Sequence, residues 1–219
     1  MIGGIRLKVC GLTTAADAAF AAEAGFDFLG FNLYPKSPRY LPLESFQRLA
    51  RHPAHVRLVA VTVEPSPVEL AAMNSAGFDF FQVHFRHDLP SSTLASWAET
   101  VGVDRLWLAP KLPPAADVPV EMLPPAGTFL LDTFDPVKFG GTGRTGDWGK
   151  FARHQRAHPS KTWILSGGLN PDNVGEAIRQ SGARFIDVNS GVESSPGVKD
   201  QGKIRALVKA IPAGRAGYP

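Results

Sequence analysis

The feature that most constrains this chain is a recurrence: eight short apolar runs rich in β-forming residues, whose starts lie roughly 20 to 35 residues apart. They are Ile5–Val9, Phe26–Leu33, Leu58–Val63, Phe78–Val83, Arg105–Ala109, Thr128–Leu131, Thr162–Leu165 and Arg184–Val188. Such intervals hold a strand, a loop and a crossover helix. Helix-like stretches fill most of them: Ala15–Ala24, Leu43–Ala50, Pro67–Ser75, Ser91–Thr100, Trp148–Gln155, Pro171–Ser181 and Gln201–Ala210. Only Pro113–Pro125 is too proline-rich to make a good helix. The runs read as continuously apolar rather than alternating, the pattern of parallel strands covered on both faces.

Eight strand–helix units in 219 residues predict an α/β chain folded as a (β/α)8 TIM barrel. The barrel is expected to be a single domain over residues 1–211, with a disordered tail, Pro212–Pro219. An open doubly wound sheet is the alternative, but no Gly-rich dinucleotide fingerprint follows the first run. A faint internal repeat supports the barrel. Glu23-Ala24-Gly25-Phe26-Asp27-Phe28 resembles Ser75-Ala76-Gly77-Phe78-Asp79-Phe80, and Gln180-Ser181-Gly182-Ala183-Arg184-Phe185 is a looser third copy. Each places a glycine where a helix ends and a strand begins at once, a joint that suits the left-handed conformation.

Charge and composition remove several function classes. The 23 Lys and Arg residues are scattered among 20 Asp and Glu, for a net charge of +3, so there is no basic stripe for nucleic acid. The sequence shows no signal peptide and no membrane span. Its one cysteine cannot form an internal disulfide, in keeping with a reducing cytoplasm. No His, Cys and carboxylate cluster has metal-ligand spacing, so no metal is indicated.

In a barrel of this kind chemistry belongs at the C-terminal ends of the strands. The residues following the runs are Cys10-Gly11, Tyr34 to Arg39, Glu64-Pro65, His84, Pro110-Lys111, Asp132-Thr133, Ser166-Gly167-Gly168 and Asn189-Ser190-Gly191. The last two loops, with Gly167, Gly168, Ser190 and Gly191, expose backbone N–H groups where such barrels commonly hold a phosphate. Read singly, they are also ordinary tight turns. Cys10 is either a small buried hydrophobe or a general base, its thiol pKa lowered by a nearby cation or anion-binding loop. Asp132 emerges from an apolar run, where a raised pKa suits a general acid; capping a turn is the plainer reading. Arg39 sits in a loop stiffened by Pro35 and Pro38 and suits a carboxylate, or is a solvated surface arginine. His84 is a proton carrier or a polar cover on the barrel. Gly140 to Gly146 lacks the Gly-Lys-Ser/Thr ending of a nucleotide cradle and reads as a flexible loop over the site.

These residues stand in blocks that resemble the phosphoribosylanthranilate isomerase family from end to end. The blocks are Lys8-Val9-Cys10-Gly11-Leu12-Thr13, Leu29 to Asn32 with Tyr34 to Tyr40, Gln82-Val83-His84, Leu131-Asp132, Gly141 to Thr145 with Asp147-Trp148, Ser166 to Val174, and Asp187 to Glu193 with Pro196-Gly197 and Lys199-Asp200. The resemblance implies a cofactor-free Amadori rearrangement of N-(5-phosphoribosyl)anthranilate to the carboxyphenylamino-deoxyribulose phosphate, a step of tryptophan biosynthesis. It implies Asp132 as the acid that opens the sugar ring and Cys10, as thiolate, as the base at C2. Arg39 would hold the anthranilate carboxylate, His84 would sit at the substrate, and Asp187 would contact sugar hydroxyls. Gly167, Gly168, Ser190 and Gly191 would hold the phosphate. The protein would act on this small molecule as a monomer or homodimer.

The chain departs from the family pattern at Phe85, where glycine is usual, at Glu64, at the loop Pro110 to Pro114, and at Gly146, where an aromatic is common. These positions are expected to surround the mouth and to bear on substrate scope. A non-catalytic or altered-substrate homologue that binds an anionic sugar phosphate is the alternative function.

Overall fold

A computed structural model describes residues 1–49, 55–133 and 146–212. Eight parallel strands close on themselves in sequence order. They are β1 (Arg6–Val9), β2 (Phe28–Asn32), β3 (Arg57–Val63), β4 (Phe80–Arg86), β5 (Leu106–Lys111), β6 (Thr128–Leu131), β7 (Thr162–Leu165) and β8 (Phe185–Val188). Closure is made by β1, which pairs with β2 on one side and along its whole length with β8 on the other, Lys8 opposite Asp187. Outside lie α1 (Ala15–Glu23), α2 (Leu43–Gln47), α3 (Pro67–Ser75), α4 (Ser91–Val101), α5 (Trp148–Ala157), α6 (Val174–Ser181) and α7 (Gln201–Ala210). The barrel read from the sequence is the barrel observed. Between β5 and β6 there is a single 3-10 turn, Val120–Met122, as the prolines of that segment require.

Local signals set the joints. The three repeated glycines, Gly25, Gly77 and Gly182, have φ of 94°, 91° and 67°, the left-handed region expected where a helix turns at once into a strand. Asp27 and Asp79 then accept the backbone N–H of the neighbouring strand, at Leu7 and Leu58, each 2.8 Å away. At the start of α3, Ser66 and Glu69 form a reciprocal capping box. Boundaries differ from expectation most at three strands, β5 running on to Lys111. β2 begins at Phe28, because Phe26 and Asp27 belong to the joint, and β4 runs on to Arg86, so His84 lies inside the strand. Of the C-terminal tail only Pro212 is described, and residues 140–145 of the glycine-rich loop lie outside the described residues.

Two apolar layers result. Residues such as Leu7, Val9, Phe31, Val83 and Phe85 face outward and pack beneath the helices. A smaller cluster fills the barrel itself, with Phe28, Trp107, Phe185, Val61 and Ile164. Phe28 stacks on Phe185 with centroids 4.8 Å apart, Phe80 stacks on Trp107 at 4.9 Å, and Phe28 meets Trp107 edge-on at 5.3 Å. The phenylalanine rings come from the first residue of their strands and Trp107 from the second of β5, and together they plug the N-terminal half of the barrel. The strands are therefore not uniformly apolar, a correction to their sequence pattern. Inward positions in β1, β4 and β8 carry Lys8, Gln82 and Asp187, each no more than 5% exposed, above the aromatic plug.

Past β8 the chain makes a 3-10 turn, Ser190–Val192, and then an antiparallel hairpin, β9 (Glu193–Ser195) with β10 (Val198–Lys199). The sequence pattern gave no hint of this hairpin. Thr13 Oγ1 donates to the Gly197 carbonyl at 2.6 Å and ties the hairpin to the loop after β1.

Candidate active site

The C-terminal mouth opens into a cavity of about 460 Å3. Its walls include Cys10, Arg39, His84, Asp132 and Asp187, so the structure brings together five of the residues singled out from the sequence. Asn32, Tyr34, Lys36, Ser37, Thr62, Gln82, Ser166 and Asn189 complete the lining where it is polar. The four loop residues Gly167, Gly168, Ser190 and Gly191 are not themselves on that wall; their neighbours Ser166 and Asn189 are.

Cys10 follows β1 and is 4% exposed, its backbone N–H bonded to the Val188 carbonyl at 2.8 Å. Burial pushes its thiol pKa up, against the pull of Lys8 and Lys199 and with the push of Asp187. The lowered thiol anticipated from the sequence is thus corrected: cations are present, yet burial outweighs them. Beside it, Lys8 is wholly buried and donates to Asp187 Oδ1 at 3.0 Å. Burial opposes the Lys8 charge, but Asp187 and Cys10 hold its pKa above the ordinary value. Asp187, offered as a sugar contact, has one carboxylate oxygen engaged by this lysine, and burial pushes its pKa up.

Asp132 follows β6, and its Oδ1 accepts the Thr133 N–H at 2.7 Å. Burial raises its pKa to about 7, aided by Asp187 and opposed by the Thr133 hydrogen bond and by Lys8. Gly167 is what lets the next loop lie against it. A Cβ there would stand 2.1 Å from Thr133 Oγ1 and 3.0 Å from Asp132 Oδ1, on a backbone with φ of 96°. Gly191 in turn packs on the loop after β7, its virtual Cβ 2.0 Å from the Leu169 carbonyl oxygen. The two glycine loops therefore touch. The backbone N–H groups of Gly167, Gly168, Ser190 and Gly191 donate to no acceptor among the described residues.

Arg39 is 8% exposed and so is no solvated surface arginine. Its Nε donates to Glu193 Oε1 at 2.9 Å and its Nη2 to Oε2 at 2.7 Å, a bidentate pair. Lys199 Nζ donates to the same Glu193 at 2.7 Å and to Asn189 Oδ1 at 3.0 Å. Glu193 stays below its ordinary pKa: burial works against this, but Arg39 and Lys199 prevail. Burial lowers Lys199, the Glu193 charge opposing it. His84 pairs through Nε2 with Gln82 Nε2 at 2.8 Å, and burial together with Lys8 lowers its pKa to about 4. It is a neutral imidazole near pH 7. Gln82 Oε1 is buried without a partner among the described residues.

Lys8, Gln82, Glu193 and Lys199 were missed as site residues by sequence reasoning. Lys8 carried one usable signal, a charge two residues before Cys10 inside an apolar run and so on the same face of the strand. The departures at the mouth also resolve. Phe85 faces outward, fully buried against Trp97 of α4 with centroids 5.7 Å apart, and does not border the cavity. Glu64, with φ of 42°, accepts the Arg86 N–H at 2.8 Å and is likewise off the wall. Pro110, Leu112, Pro114 and Gly146 border a separate recess of about 210 Å3 that shares Asp132 and Ser166 with the main cavity. Among the described residues no group of three or more His, Cys, Asp or Glu is placed to hold a metal. No helix among them is long and apolar enough to cross a membrane.

Fold and site together define a (β/α)8-barrel protein with titratable side chains gathered in one cavity at the C-terminal mouth. Residues 7–210 match the family described as N-(5'phosphoribosyl)anthranilate (PRA) isomerase. A relative in Neisseria gonorrhoeae of the same name is 36% identical over 208 residues, covering 93% of this chain and 95% of its own. The crystal structure of the phosphoribosyl anthranilate isomerase of Thermus thermophilus superposes with a TM-score of 0.78 at 29% identity, covering 94% of this chain and 98% of that one. Another isomerase structure, in complex with reduced 1-(o-carboxyphenylamino)-1-deoxyribulose 5-phosphate, gives 0.75 at 31% identity over 94% and 97%. The chain belongs to the phosphoribosylanthranilate isomerase family.

Proposed function

We propose that this protein catalyses the Amadori rearrangement of N-(5-phosphoribosyl)anthranilate, without a cofactor, in tryptophan biosynthesis. The observation that carries the reading is the pairing in one cavity of a carboxyl with pKa about 7, Asp132, and a buried thiol, Cys10, within a chain matched to the family over residues 7–210. The site fits a substrate with an anion at each end. At one end the free N–H groups of the touching loops, Gly167-Gly168 and Ser190-Gly191, suit the phosphate. At the other, Arg39 faces the anthranilate carboxylate with the donors that Glu193 leaves unused. Between them Gln82 borders the cavity, its amide nitrogen held by His84, and suits the sugar end of the substrate.

Protonated Asp132 gives its proton to the furanose ring oxygen, and the bond from that oxygen to C1 breaks to leave an iminium at C1. The Cys10 thiolate takes the proton from C2, and its electron pair moves toward the iminium to give the enolamine. Tautomerisation to the ketone completes the rearrangement. Each transfer needs one group in one protonation state, and both groups border the same cavity. The enzyme acts as a monomer or homodimer of one 1–211 barrel unit, in a reducing cytoplasm that suits its unpaired thiol. The test is direct: purified protein is mixed with N-(5-phosphoribosyl)anthranilate, and loss of anthranilate-type fluorescence is followed. Turnover is expected; tight binding of a substrate analogue with no turnover would instead establish the non-catalytic reading.

A further inference from the structure

Lys8 is the costliest residue in the barrel. A lysine is almost never fully buried unless something holds its charge, and a buried ion pair is often no more stabilising than well-packed apolar residues in place of both partners. Here its side chain is completely enclosed, 0% exposed, and it does not border the cavity. It can therefore act only through the groups that touch it. One is Asp187 across the closing strand pair, at 3.0 Å. The other is Cys10, two residues on and on the same face of β1, whose thiolate the ammonium charge favours. The neighbouring strand is cut away to admit it. At Gly30 of β2 a Cβ would lie 3.0 Å from both Cε and Nζ of Lys8 and 3.2 Å from the Cys10 Cα.

We infer that Lys8, fixed by Asp187 beneath the thiol, is the positioning residue that holds the Cys10 thiolate. This rests on the isomerase reading for its purpose, though not for its test. The charges around Cys10 support it. β1 supplies Lys8; β8 supplies Asp187; the hairpin supplies Glu193 and Lys199; the loop after β2 supplies Arg39; β6 leads to Asp132; and β4 supplies neutral His84. Lys36 stands exposed at the rim, where water screens it. β2, β3 and β7 bring uncharged Asn32, Val61 and Ser166 to the cavity wall. Three buried cations, Lys8, Arg39 and Lys199, thus face two buried carboxylates, Asp187 and Glu193. With a neutral thiol and a protonated Asp132 the cluster carries one uncompensated positive charge. Ionising Cys10, its proton leaving through the cavity to solvent, balances the count. Lys8 is the cation on the sulfur's own strand face, and its 3.0 Å bond to Asp187 fixes it there.

Cys10 is the chain's only cysteine, so its thiolate can be read without substrate. Iodoacetamide is attacked by the thiolate, forming a thioether and releasing iodide, and mass spectrometry of the intact protein gives the rate at each pH. Lys8→Met is expected to raise the midpoint of that profile by roughly one pH unit or more. Asp187→Asn is expected to lower it, since a carboxylate charge is removed beside the sulfur while the Asn oxygen still accepts from Lys8. Lys8→Arg is expected to return most of the Lys8→Met shift. Opposite shifts are the signature, because a merely structural role moves both variants the same way or neither. An unmoved or lowered midpoint in folded Lys8→Met overturns the inference. Should Lys8→Met fail to fold by circular dichroism, Lys8→Gln is read in its place: a raised midpoint supports the inference, and an unchanged or lowered one overturns it. Failure here leaves the isomerase assay untouched, and absence of turnover in that assay leaves the thiolate profile standing.

Discussion

Cys10 and Asp132 border the same cavity from opposite arcs of the barrel, and burial pushes both of their pKa values upward. For the carboxyl this is an advantage. A rise to about 7 leaves half of the Asp132 population protonated near neutrality, which is what an acid requires. For the thiol the same burial is an obstacle, since a base must be ionised. The two arcs differ accordingly. Around Asp132 the close groups are a backbone N–H and a loop brought near by Gly167. Around Cys10 stand Lys8 and Lys199, two buried cations that stabilise the charged form. Burial alone makes an acid of a carboxylic group; making a base of a thiol takes added positive charge.

The largest test of this contrast removes each partner. Cys10→Ala and Asp132→Asn are each expected to fold and to lose about 10²–10⁴-fold in kcat with substrate saturating, measured by the fluorescence assay. Near-wild-type turnover in both would dismiss the acid–base assignment. The pH profile sharpens it further. Because the thiol titrates above the carboxyl, kcat/KM is expected to rise to a plateau near pH 7 and to fall only above the Cys10 titration. Across the plateau each gain in thiolate is matched by an equal loss of protonated Asp132. A sharp optimum narrower than that interval would show that the two pKa values lie close together rather than apart.

Next in size is Gly30→Ala. Its Cβ must displace Lys8 at 3.0 Å or the Cys10 backbone at 3.2 Å, and the backbone cannot give way cheaply. A loss of about 1–3 kcal/mol in urea-unfolding stability is expected, together with a slower alkylation of Cys10. The companion change at the rim is smaller. Glu193→Gln loosens the bidentate hold on Arg39 and the contact with Lys199, so KM for the phosphoribosylanthranilate is expected to rise about tenfold while kcat changes less. A drop confined to kcat would place Glu193 with the reacting atoms rather than with the carboxylate end.

How much of this was legible in the sequence follows from the range of the interactions. The eight strand–helix units, the glycine joints at Gly25, Gly77 and Gly182, and the placing of Cys10, Asp132 and Asn189 at strand ends rest on patterns a few residues long. Those were readable. The Lys8–Asp187 pair spans 179 residues and the Arg39–Glu193 pair 154, and nothing local announces either. The hairpin of Glu193 and Lys199 is two and three residues per strand, too short to show a period. Phe85 was misjudged for a different reason. Adjacency to His84 in sequence implied adjacency at the mouth, whereas successive residues of a strand point to opposite faces, so His84 looks into the barrel and Phe85 beneath α4.

The smallest expected effect concerns stability, and it separates the two arcs without any substrate. Asp132 has a folded pKa near 7, raised from an ordinary 3.8. A carboxyl raised on folding is at no disadvantage below pH 3.8, where it is protonated in both states. The unfolded chain ionises freely above that value and the folded one does not, so stability is lost progressively until the pH passes the folded pKa near 7, beyond which the deficit is constant. Asn at this position cannot ionise. Asp132→Asn is therefore expected to be more stable than the parent at pH 8, by about 1 kcal/mol or 2–4 °C in Tm, the full shift being discounted because water reaches the partly exposed carboxyl. At pH 3.5 the two proteins should melt together to within what the amide's own hydrogen bonds change. A variant that gains stability at pH 8 while losing catalysis shows that Asp132 is held in a strained environment for its acidity. Equal melting at both pH values would mean that solvent reaches it freely, and the contrast with Cys10 would then rest on the thiol alone.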